Sequence, residues 1–318
     1  MKKRAMFSFL RVGVSLTLVS ALLYAMRDSY PELVRIFKSV NIALFAISLT
    51  GFTLAISFTA LRLRLLLATQ GLLLTLKEIV SLTFIGFFFN NFLPTSIGGD
   101  IVKAYYASKK SSRLAAFTSV FVDRFIGLLT MVLMALFALF IARDLIKDKK
   151  FIYFIYGFTC LGAGGIVFLT NKNVARRFSF LLNLLGPLKH KLKDFYEVVH
   201  RYQRHKGVIL KALAISIASQ IIYFFSICML TLSIGTPISI KHVFLRMPIV
   251  SAVGLVPSIG GLGIREGAIV ILFSPLIGKE AAFALSMLVL TMLFTVSIAG
   301  GLIYSFSPQF RLKKEAKG

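Results

Sequence analysis

Long apolar stretches alternate with short basic segments along the whole of this 318-residue chain. Several of these apolar stretches reach the ~20 residues that a helix needs to cross a ~30 Å hydrocarbon core. We therefore expect crossing helices at residues 7–26, 41–61, 114–140, 151–170, 207–233 and 281–306. Two further apolar regions, 79–93 and 243–277, are ambiguous, because the first would extend only about 22 Å as a helix. The pattern predicts an all-α polytopic membrane protein with about six to eight transmembrane helices.

A proline followed by paired glycines lies directly after the first ambiguous region and another lies within the second, which makes both breaks candidates for a binding site. The first supplies Pro94, Ser96, Gly98 and Gly99, and the second supplies Pro257, Ser258, Gly260, Gly261 and Gly263. Proline and glycine leave backbone N–H and C=O groups without partners in a helix. Such groups are tolerated at membrane depth only where protein buries them or where they line a polar cavity. Asn90 and Asn91, just before the first break, are expected to satisfy that backbone or to line the cavity. Two corresponding interruptions predict broken or re-entrant segments around a substrate site near the bilayer midplane.

The spacing of the two breaks predicts an internal repeat. The proline lies 53 residues after the start of the preceding span in the first copy and 50 residues after it in the second. Lys103 follows Gly98, and Arg265 follows Gly260, at the same offset of five residues. Matching element order at matching distances is typical of a duplicated unit. We predict repeat A at about 41–140 and repeat B at about 207–306 within one membrane domain, residues 1–318, with chance recurrence of a glycine-rich turn as the alternative.

The formal charge of +25 orients the spans and does not indicate nucleic-acid binding, because Lys and Arg lie in short loops and tails between apolar spans. The basic segment 171–206 and the C-terminal tail are predicted to be cytoplasmic, as is the N-terminus before an uncleaved first helix. An even number of crossings places both termini on the same side of the membrane. Six crossings plus two re-entrant segments meet this requirement. The broken segments then enter from opposite sides, so the repeats are inverted, and we expect the protein in the inner or plasma membrane.

The segment at about 174–206 has a pattern of its own. Apolar residues recur at steps of four and three from Leu181 to Tyr202, with basic residues between them. This periodicity predicts a basic amphipathic helix lying flat on the inner leaflet, where anionic headgroups attract its basic residues. Packing against a partner's helix is the alternative.

Helix N-termini after the two breaks are candidate anion sites. Asp100 is at the expected N-cap of one helix, and Gly263 precedes a second. Unpaired N–H groups at such N-termini favour an anionic group, such as a lipid phosphate. Lys103 and Arg265 would add positive charges in the first turns. In the alternative, these basic residues extend to the membrane interface or pair with Asp100 and Glu266.

Asp123 and Arg124 lie near the centre of the third predicted span. An ionised side chain at that depth costs at least ~2.5–3.5 kcal/mol, so each is expected to have a partner. We expect Arg124 to bind Glu266 or a substrate phosphate. Asp123 is expected to pair with Lys103 or Arg246. A structural clamp between helices is the alternative for both.

The sequence indicates no catalytic chemistry. Cys160 and Cys228 lie in apolar segments, and the four histidines lack the spacing of metal ligands. No nucleotide-binding loop of the Gly-Lys-Ser/Thr type is present. We therefore expect no catalytic residue, no metal, no cofactor and no ATP hydrolysis by the chain.

Three motifs occur in order at Phe89–Tyr105, Val122–Leu128 and Val256–Gly267. Together they resemble the lysylphosphatidylglycerol synthase transmembrane region, also called the flippase-like domain family, over nearly the whole chain. The resemblance implies an integral inner-membrane protein whose characterised relatives translocate aminoacylated phospholipid. Full-length relatives also carry a soluble domain that transfers an amino acid from aminoacyl-tRNA. The sequence ends about twelve residues after its last predicted span, so we expect that domain to be missing and aminoacyl-tRNA not to be a partner.

These observations favour a lipid flippase, or a transporter of a lipid-linked intermediate, that is not an enzyme. Its ligand would be an anionic phospholipid or lipid phosphate held between the broken segments. An accessory membrane subunit is one alternative, and a membrane-embedded enzyme of polyprenyl-phosphate or glycolipid synthesis is another. The protein partners to consider are a second copy of the chain and a glycosyltransferase or lipid-modifying enzyme; nucleic acid is not expected.

Overall fold

The computed structural model describes Tyr24, residues 30–92, 98–109 and 112–141, seven positions between 153 and 164, residues 202–254 and 261–307, and Phe310. This part of the chain forms nine α-helices and a short 3₁₀ helix and contains no strand. The α-helices are α1 (Tyr30–Lys38), α2 (Ile42–Ala68), α3 (Leu76–Phe92), α4 (Gly98–Ser108), α5 (Arg113–Ile141), α6 (Lys206–Ser233), α7 (Ile240–Val253), α8 (Ile264–Ile277) and α9 (Lys279–Phe306). The prediction of an all-α fold is confirmed.

Four of these helices, α2, α5, α6 and α9, are long and apolar enough to cross a membrane. At 1.5 Å per residue each extends about 40 Å, which covers the hydrocarbon core and reaches both headgroup regions. They confirm four of the six predicted crossings. The predicted spans 7–26 and 151–170 fall outside the described residues, apart from isolated positions.

Helix α2 is longer than the sequence pattern predicts, because it continues to Ala68 and does not end at residue 61. The pattern ends this span before Arg62 and Arg64, since charged residues usually mark the end of a membrane helix. Both arginines lie within the helix instead, and Arg62 is only 6% exposed. The helix begins where the Asn41 side chain accepts a hydrogen bond from the Leu44 N–H at 3.1 Å.

Helices α2 and α6 pack side by side in opposite directions. Ser48 Oγ of α2 donates to Ser226 O of α6 at 2.7 Å. Ser219 Oγ of α6 donates in return to Ala55 O of α2 at 2.8 Å. Residue numbers rise along one helix as they fall along the other, so the pair is antiparallel. The two serine bonds are reciprocal, as a twofold axis between the helices requires.

The two broken regions enter the bundle from opposite ends. Helices α3 and α4 follow α2 and pack on each other, and α7 and α8 follow α6 and do the same. We name these pairs the first hairpin (α3–α4) and the second hairpin (α7–α8). Because α2 and α6 are antiparallel, their C-termini lie at opposite ends of the bundle, and so do the starts of the two hairpins. Most of the chain that connects the paired helices, residues 93–97 and 255–260, lies outside the described residues.

Each hairpin also packs against the last long helix of the other half, α3 against α9 and α7 against α5. Gly300 of α9 lies so close to α3 that a Cβ there would overlap the Phe84 carbonyl oxygen. Such reciprocal packing, with a long–short–short–long helix order in both halves, is the arrangement that inverted repeats produce. The exact repeat boundaries stay predictions.

Apolar side chains from both halves form one large core. Phe84 of α3, Phe224 of α6 and Phe273 of α8 lie in it, together with Met134 of α5 and Met292 of α9. Lipid is as apolar as these side chains, so close packing and interhelical hydrogen bonds hold the halves together. The few buried charges therefore stand out as exceptions that need partners.

Candidate functional site

Three charged side chains meet at the start of α4, beside the turn of the first hairpin. The Asp100 side chain is 5% exposed, and its Oδ2 accepts a hydrogen bond from Arg124 Nε of α5. Lys103 Nζ lies 2.7 Å from Asp100 Oδ1. Two cations around one carboxylate give this charged group a net charge of +1.

Close backbone packing between α3 and α4 places this group. A Cβ at Gly99 would overlap the Gly86 carbonyl oxygen, so the two helix backbones touch at these glycines. The Gly99 N–H donates to Asn90 Oδ1 at 2.8 Å, so Asn90 satisfies backbone at the break. Lys103 crosses Gly86, where an added Cβ would lie 3.0 Å from Lys103 Cε. Glycine at both positions thus lets Lys103 lie along α3 and reach Asp100.

Three details predicted for this hairpin are wrong. Asp100 is not an N-cap, because α4 already includes Gly98 and Gly99 and Asp100 lies in its first turn. Lys103 is the sixth residue of α4 and so lies beyond the first turn. The Gly99 N–H, expected to meet an anion, is bonded to Asn90. Positive charge at this break therefore comes from side chains.

The second hairpin turns with a different backbone conformation. Gly261 and Gly263 have φ values of +83° and +84°, a left-handed conformation that glycine adopts without steric cost. Gly263 is the N-cap of α8, and its N–H donates to Glu266 Oε2 at 2.6 Å. The prediction that a helix follows Gly263 is confirmed.

Arg265 is neutralised by the residue that follows it. Its Nη2 donates to Glu266 Oε1 at 2.6 Å, and its Nε donates to the same oxygen at 3.0 Å. Glu266 is fully buried at 0% exposure. Of the two roles predicted for Arg265, pairing with Glu266 is the one that the structure contains. This pair has no net charge, unlike the charged group at the first hairpin.

A further buried ion pair joins three long helices. Arg62 Nε of α2 donates to Asp123 Oδ1 of α5 at 2.7 Å, and Nη2 donates to Oδ2 at 3.1 Å. Arg62 Nη1 donates to Ser216 Oγ of α6 at 2.7 Å. The predicted partners of Asp123, Lys103 and Arg246, are therefore wrong. Arg246 instead bonds within the second hairpin, where its Nε donates to the Leu272 carbonyl at 2.9 Å.

Asp123 and Arg124 form bonds with different partners, because neighbouring residues on a helix point about 100° apart. Arg124 bonds Asp100, so the predicted contact with Glu266 is wrong. Sequence reasoning missed Arg62 because it ended the span before that residue. The signal that could have found it is the apolar run Leu65–Ala68, which continues the helix beyond both arginines.

The chain matches the family model described as lysylphosphatidylglycerol synthase TM region, over residues 8–301. The chain belongs to this family. The matched range includes both hairpins and nearly all of the four long helices. The match confirms the resemblance that the three motifs indicate. The protein is therefore a membrane protein of a lipid-related family. No curated protein and no solved structure matches the chain.

Five residues predicted for the site of this family member lie outside the described part of the chain, namely Pro94, Ser96, Pro257, Ser258 and Gly260. Two others are in place beside the first break. Asn91 Nδ2 donates to Ser297 Oγ of α9, and Gly98 is buried at the start of α4. The Asn91 bond ties the first hairpin to the last long helix of the other half.

Residues 174–201 of the predicted amphipathic helix lie outside the described residues. The prediction for residues 202–206, at the end of that helix, is wrong. Residues Tyr202–His205 form the 3₁₀ helix, and α6 begins directly after it. Tyr202, expected on the surface of the leaflet, is 3% exposed. Its hydroxyl donates to Leu66 O at 3.0 Å and lies 2.8 Å from Ser119 Oγ. The ring is buried because it fills the space between α2 and α5.

Within the described residues, no group of three or more His, Cys, Asp and Glu side chains could hold a metal ion. Cys160 is exposed and Cys228 is buried, and both are free thiols. What the described site offers is ion pairing and hydrogen bonding.

Proposed function

We propose that this protein moves an anionic phospholipid, or a lipid-linked intermediate that carries a phosphate, between the leaflets of the membrane. The observation that carries the proposal is the net charge of +1 on Asp100, Lys103 and Arg124, inside a membrane bundle. A charge at such a depth costs ~2.5–3.5 kcal/mol or more on insertion scales unless it has a partner. A lipid phosphate is an anion that two adjacent cations of this kind would bind.

Within this group, Arg124 is the residue best placed to meet a headgroup. Its side chain is 37% exposed, whereas that of Lys103 is 12% exposed. A planar guanidinium with several N–H donors suits phosphate geometry better than a lysine ammonium does. In this proposal Asp100 orients Arg124, and Lys103 sets the net charge so that the group attracts an anion.

The two hairpins support a mechanism of alternating access. They start from opposite ends of the bundle, so a headgroup held between them can face either leaflet as one half tilts against the other. The acyl chains stay in the bilayer throughout. When the phosphate leaves Arg124, Lys103 still pairs with Asp100, so no carboxylate is left uncompensated. The bond from Arg62 to Ser216 keeps the two halves in contact during this motion, while the Arg62–Asp123 pair holds α2 to α5 within the first half.

The positive-inside bias supports a related proposal for topology and location. Both termini and the segment 171–206 would face the cytoplasm, and the protein would lie in the inner or plasma membrane. We propose that the chain needs no cofactor and catalyses no chemical change of its lipid. A second copy of the chain, or a glycosyltransferase or lipid-modifying enzyme, would be its protein partner.

Reconstitution tests the transport proposal directly. The purified protein is placed in phosphatidylcholine vesicles with a trace of phosphatidylglycerol or phosphatidylcholine labelled on an acyl chain with a fluorophore. Dithionite then bleaches the outer leaflet, and continued loss of fluorescence reports transport. We expect faster loss for labelled phosphatidylglycerol than in protein-free vesicles. Arg124→Gln should slow it about tenfold or more, since hydrogen bonds to charged groups contribute ~1.5–3 kcal/mol.

Two control variants define the result. Arg124→Lys keeps the charge but loses the guanidinium fork, so it should retain only part of the transport. Lys279→Gln removes an exposed charge at the start of α9 and should change nothing. Wild-type rates equal to those of protein-free vesicles would contradict the proposal. Release of a chemically altered lipid would favour the embedded enzyme, and inactivity combined with copurification of a glycosyltransferase would favour the accessory subunit.

A further inference from the structure

A groove with an arginine in its lining lies at the end of the bundle where α2 stops. Its volume is about 590 Å³, and its lining includes Leu61, Arg64, Leu65, Leu73, Thr75 and Ile215. Arg64 is the one charged residue among the described residues that line it, and most of the others are apolar. None of the residues of the charged group at the first hairpin takes part, so this groove is a separate site.

The Arg64 guanidinium is held in position by the loop before α3. Its Nε donates to the Leu74 carbonyl oxygen at 3.0 Å. Among the described residues, no carboxylate forms an ion pair with Arg64. A guanidinium fixed through Nε keeps its two terminal amino groups in a fork that matches phosphate oxygens. The groove thus combines an apolar channel with an oriented cation.

With α2 centred on the bilayer, Arg64 lies near the depth of lipid headgroups. It lies nine residues beyond Ala55, the middle residue of α2, which is about 13 Å along the axis at 1.5 Å per residue. Half of a hydrocarbon core is ~15 Å, so the guanidinium lies close to the headgroup boundary and Leu61 lies deeper. On the antiparallel helix α6, exposed Lys211 lies one turn from Ile215 on the same face. It adds a second positive charge near the groove.

We propose that this groove binds one anionic phospholipid of the adjacent leaflet. One acyl chain lies along Leu61, Leu65 and Ile215, and the phosphate lies on Arg64 with Lys211 nearby. Charge complementarity selects this occupant, because the cations lie at headgroup depth and the apolar lining continues toward the hydrocarbon core. The site is independent of the proposed transport site at Arg124.

The absence of tryptophan from the chain allows a clean test. Leu73 is 75% exposed, so Leu73→Trp places one fluorescent reporter at the groove without disturbing the core. The full chain is reconstituted in phosphatidylcholine vesicles that contain the same fraction of brominated phosphatidylglycerol or of brominated phosphatidylcholine. We expect the brominated anionic lipid to be about fivefold preferred in quenching, the effect of one basic residue on an anionic headgroup.

Arg64→Gln in the reporter protein should abolish that preference. Lys77→Gln is the matched control, since Lys77 is exposed at the same end of the bundle but does not line the groove, and it should keep the preference. Equal quenching by both lipids in the reporter protein would overturn the proposal, because the groove would then accept any acyl chain. No quenching by either would overturn it too, because a protein segment or a second copy would cover the groove. Since Arg124 plays no part here, these outcomes are separate from the transport test.

Discussion

Arg62 and Asp123 are joined by two parallel N–H···O bonds of 2.7 and 3.1 Å, and each side chain is only 8% exposed. The third bond of Arg62, to Ser216, extends the pair from α2 and α5 to α6. Neither charge can be solvated by lipid, so each depends on the other and on the packing of three helices. The pair therefore fixes α2 against α5 within the first half, and the Ser216 bond ties that half to α6 of the second.

Arg62→Met should destabilise the protein, because it leaves the Asp123 carboxylate buried without a counter-charge. Loss of one partner of a buried ion pair costs ~3–5 kcal/mol. We expect a lower free energy of unfolding and a lower thermal unfolding midpoint in detergent. Combining Arg62→Met with Asp123→Leu removes both charges and should recover most of the loss. Lys211→Met, at an exposed position on α6, should have little effect; a single variant as stable as wild type would contradict this structural role.

The sequence predicted the all-helical class and the four long helices well, because a ~20-residue apolar run has one stable solution in a bilayer. It also located both breaks, since proline and paired glycines disfavour a continuous helix. They do not always interrupt one, because Pro248 lies inside α7 and Pro275 inside α8. The end of α2 was wrong because Arg62 and Arg64 resemble interfacial residues until a buried carboxylate from another helix is known. The pattern of residues along the chain does not show which carboxylate will lie beside these arginines.

Charge partners could not be predicted from the sequence for a related reason. Arg62 and Asp123 are distant in sequence, and their contact depends on how α2 and α5 are rotated and shifted against each other. The two breaks also look alike in sequence, yet Gly99 lies within a helix and Gly261 in a left-handed turn. Which glycine touches a neighbouring backbone is set by packing that the pattern of residues does not specify.

Asp100→Asn should change how the protein handles anionic lipid. The substitution leaves Lys103 and Arg124 without their carboxylate and raises the net charge of the group from +1 to +2. We expect more anionic phospholipid to copurify and its translocation to slow about tenfold, because a tightly held headgroup leaves slowly. Lipid mass spectrometry and the dithionite assay measure the two effects. Less copurified anionic lipid in a folded variant would mean that this group does not bind the headgroup.

Accessibility of single cysteines should report the opposite directions of the hairpins. With Cys160 and Cys228 replaced by Ser, Leu73→Cys lies before the first hairpin and Ser239→Cys before the second. Because α2 and α6 are antiparallel, we expect an impermeant thiol reagent to label these two positions from opposite sides of the membrane. Lys193→Cys, in the basic segment, should be labelled from the cytoplasm together with Leu73→Cys. Labelling of Leu73→Cys and Ser239→Cys from one side would contradict the inverted arrangement.

Gly99→Ala should prevent the first hairpin from closing. The new methyl group would overlap the Gly86 carbonyl oxygen, a backbone atom that cannot rotate away. Overpacking typically costs ~1–3 kcal/mol, and a backbone clash belongs at or above the upper end of that range. We expect a large drop in the thermal unfolding midpoint and in the yield of monodisperse protein in detergent, with transport lost as a consequence. An unchanged midpoint would show that the two helix backbones do not touch at these glycines.

Gly261→Ala should destabilise the protein less than Gly99→Ala does, because the backbone is packed less closely at the second break. Its φ of +83° costs an L-residue roughly 1–2 kcal/mol, while the nearest obstacle to a Cβ, the Gly254 carbonyl oxygen, is 3.3 Å away. We therefore expect a folded protein with a modestly lower unfolding midpoint and measurable transport. Gly267→Ala is the matched control, because nothing lies within 4 Å of a Cβ there and alanine is ~1 kcal/mol more favourable than glycine within a helix. Equal losses from Gly99→Ala and Gly261→Ala would instead support equivalent roles for the two breaks, as the similarity of their sequences alone predicts.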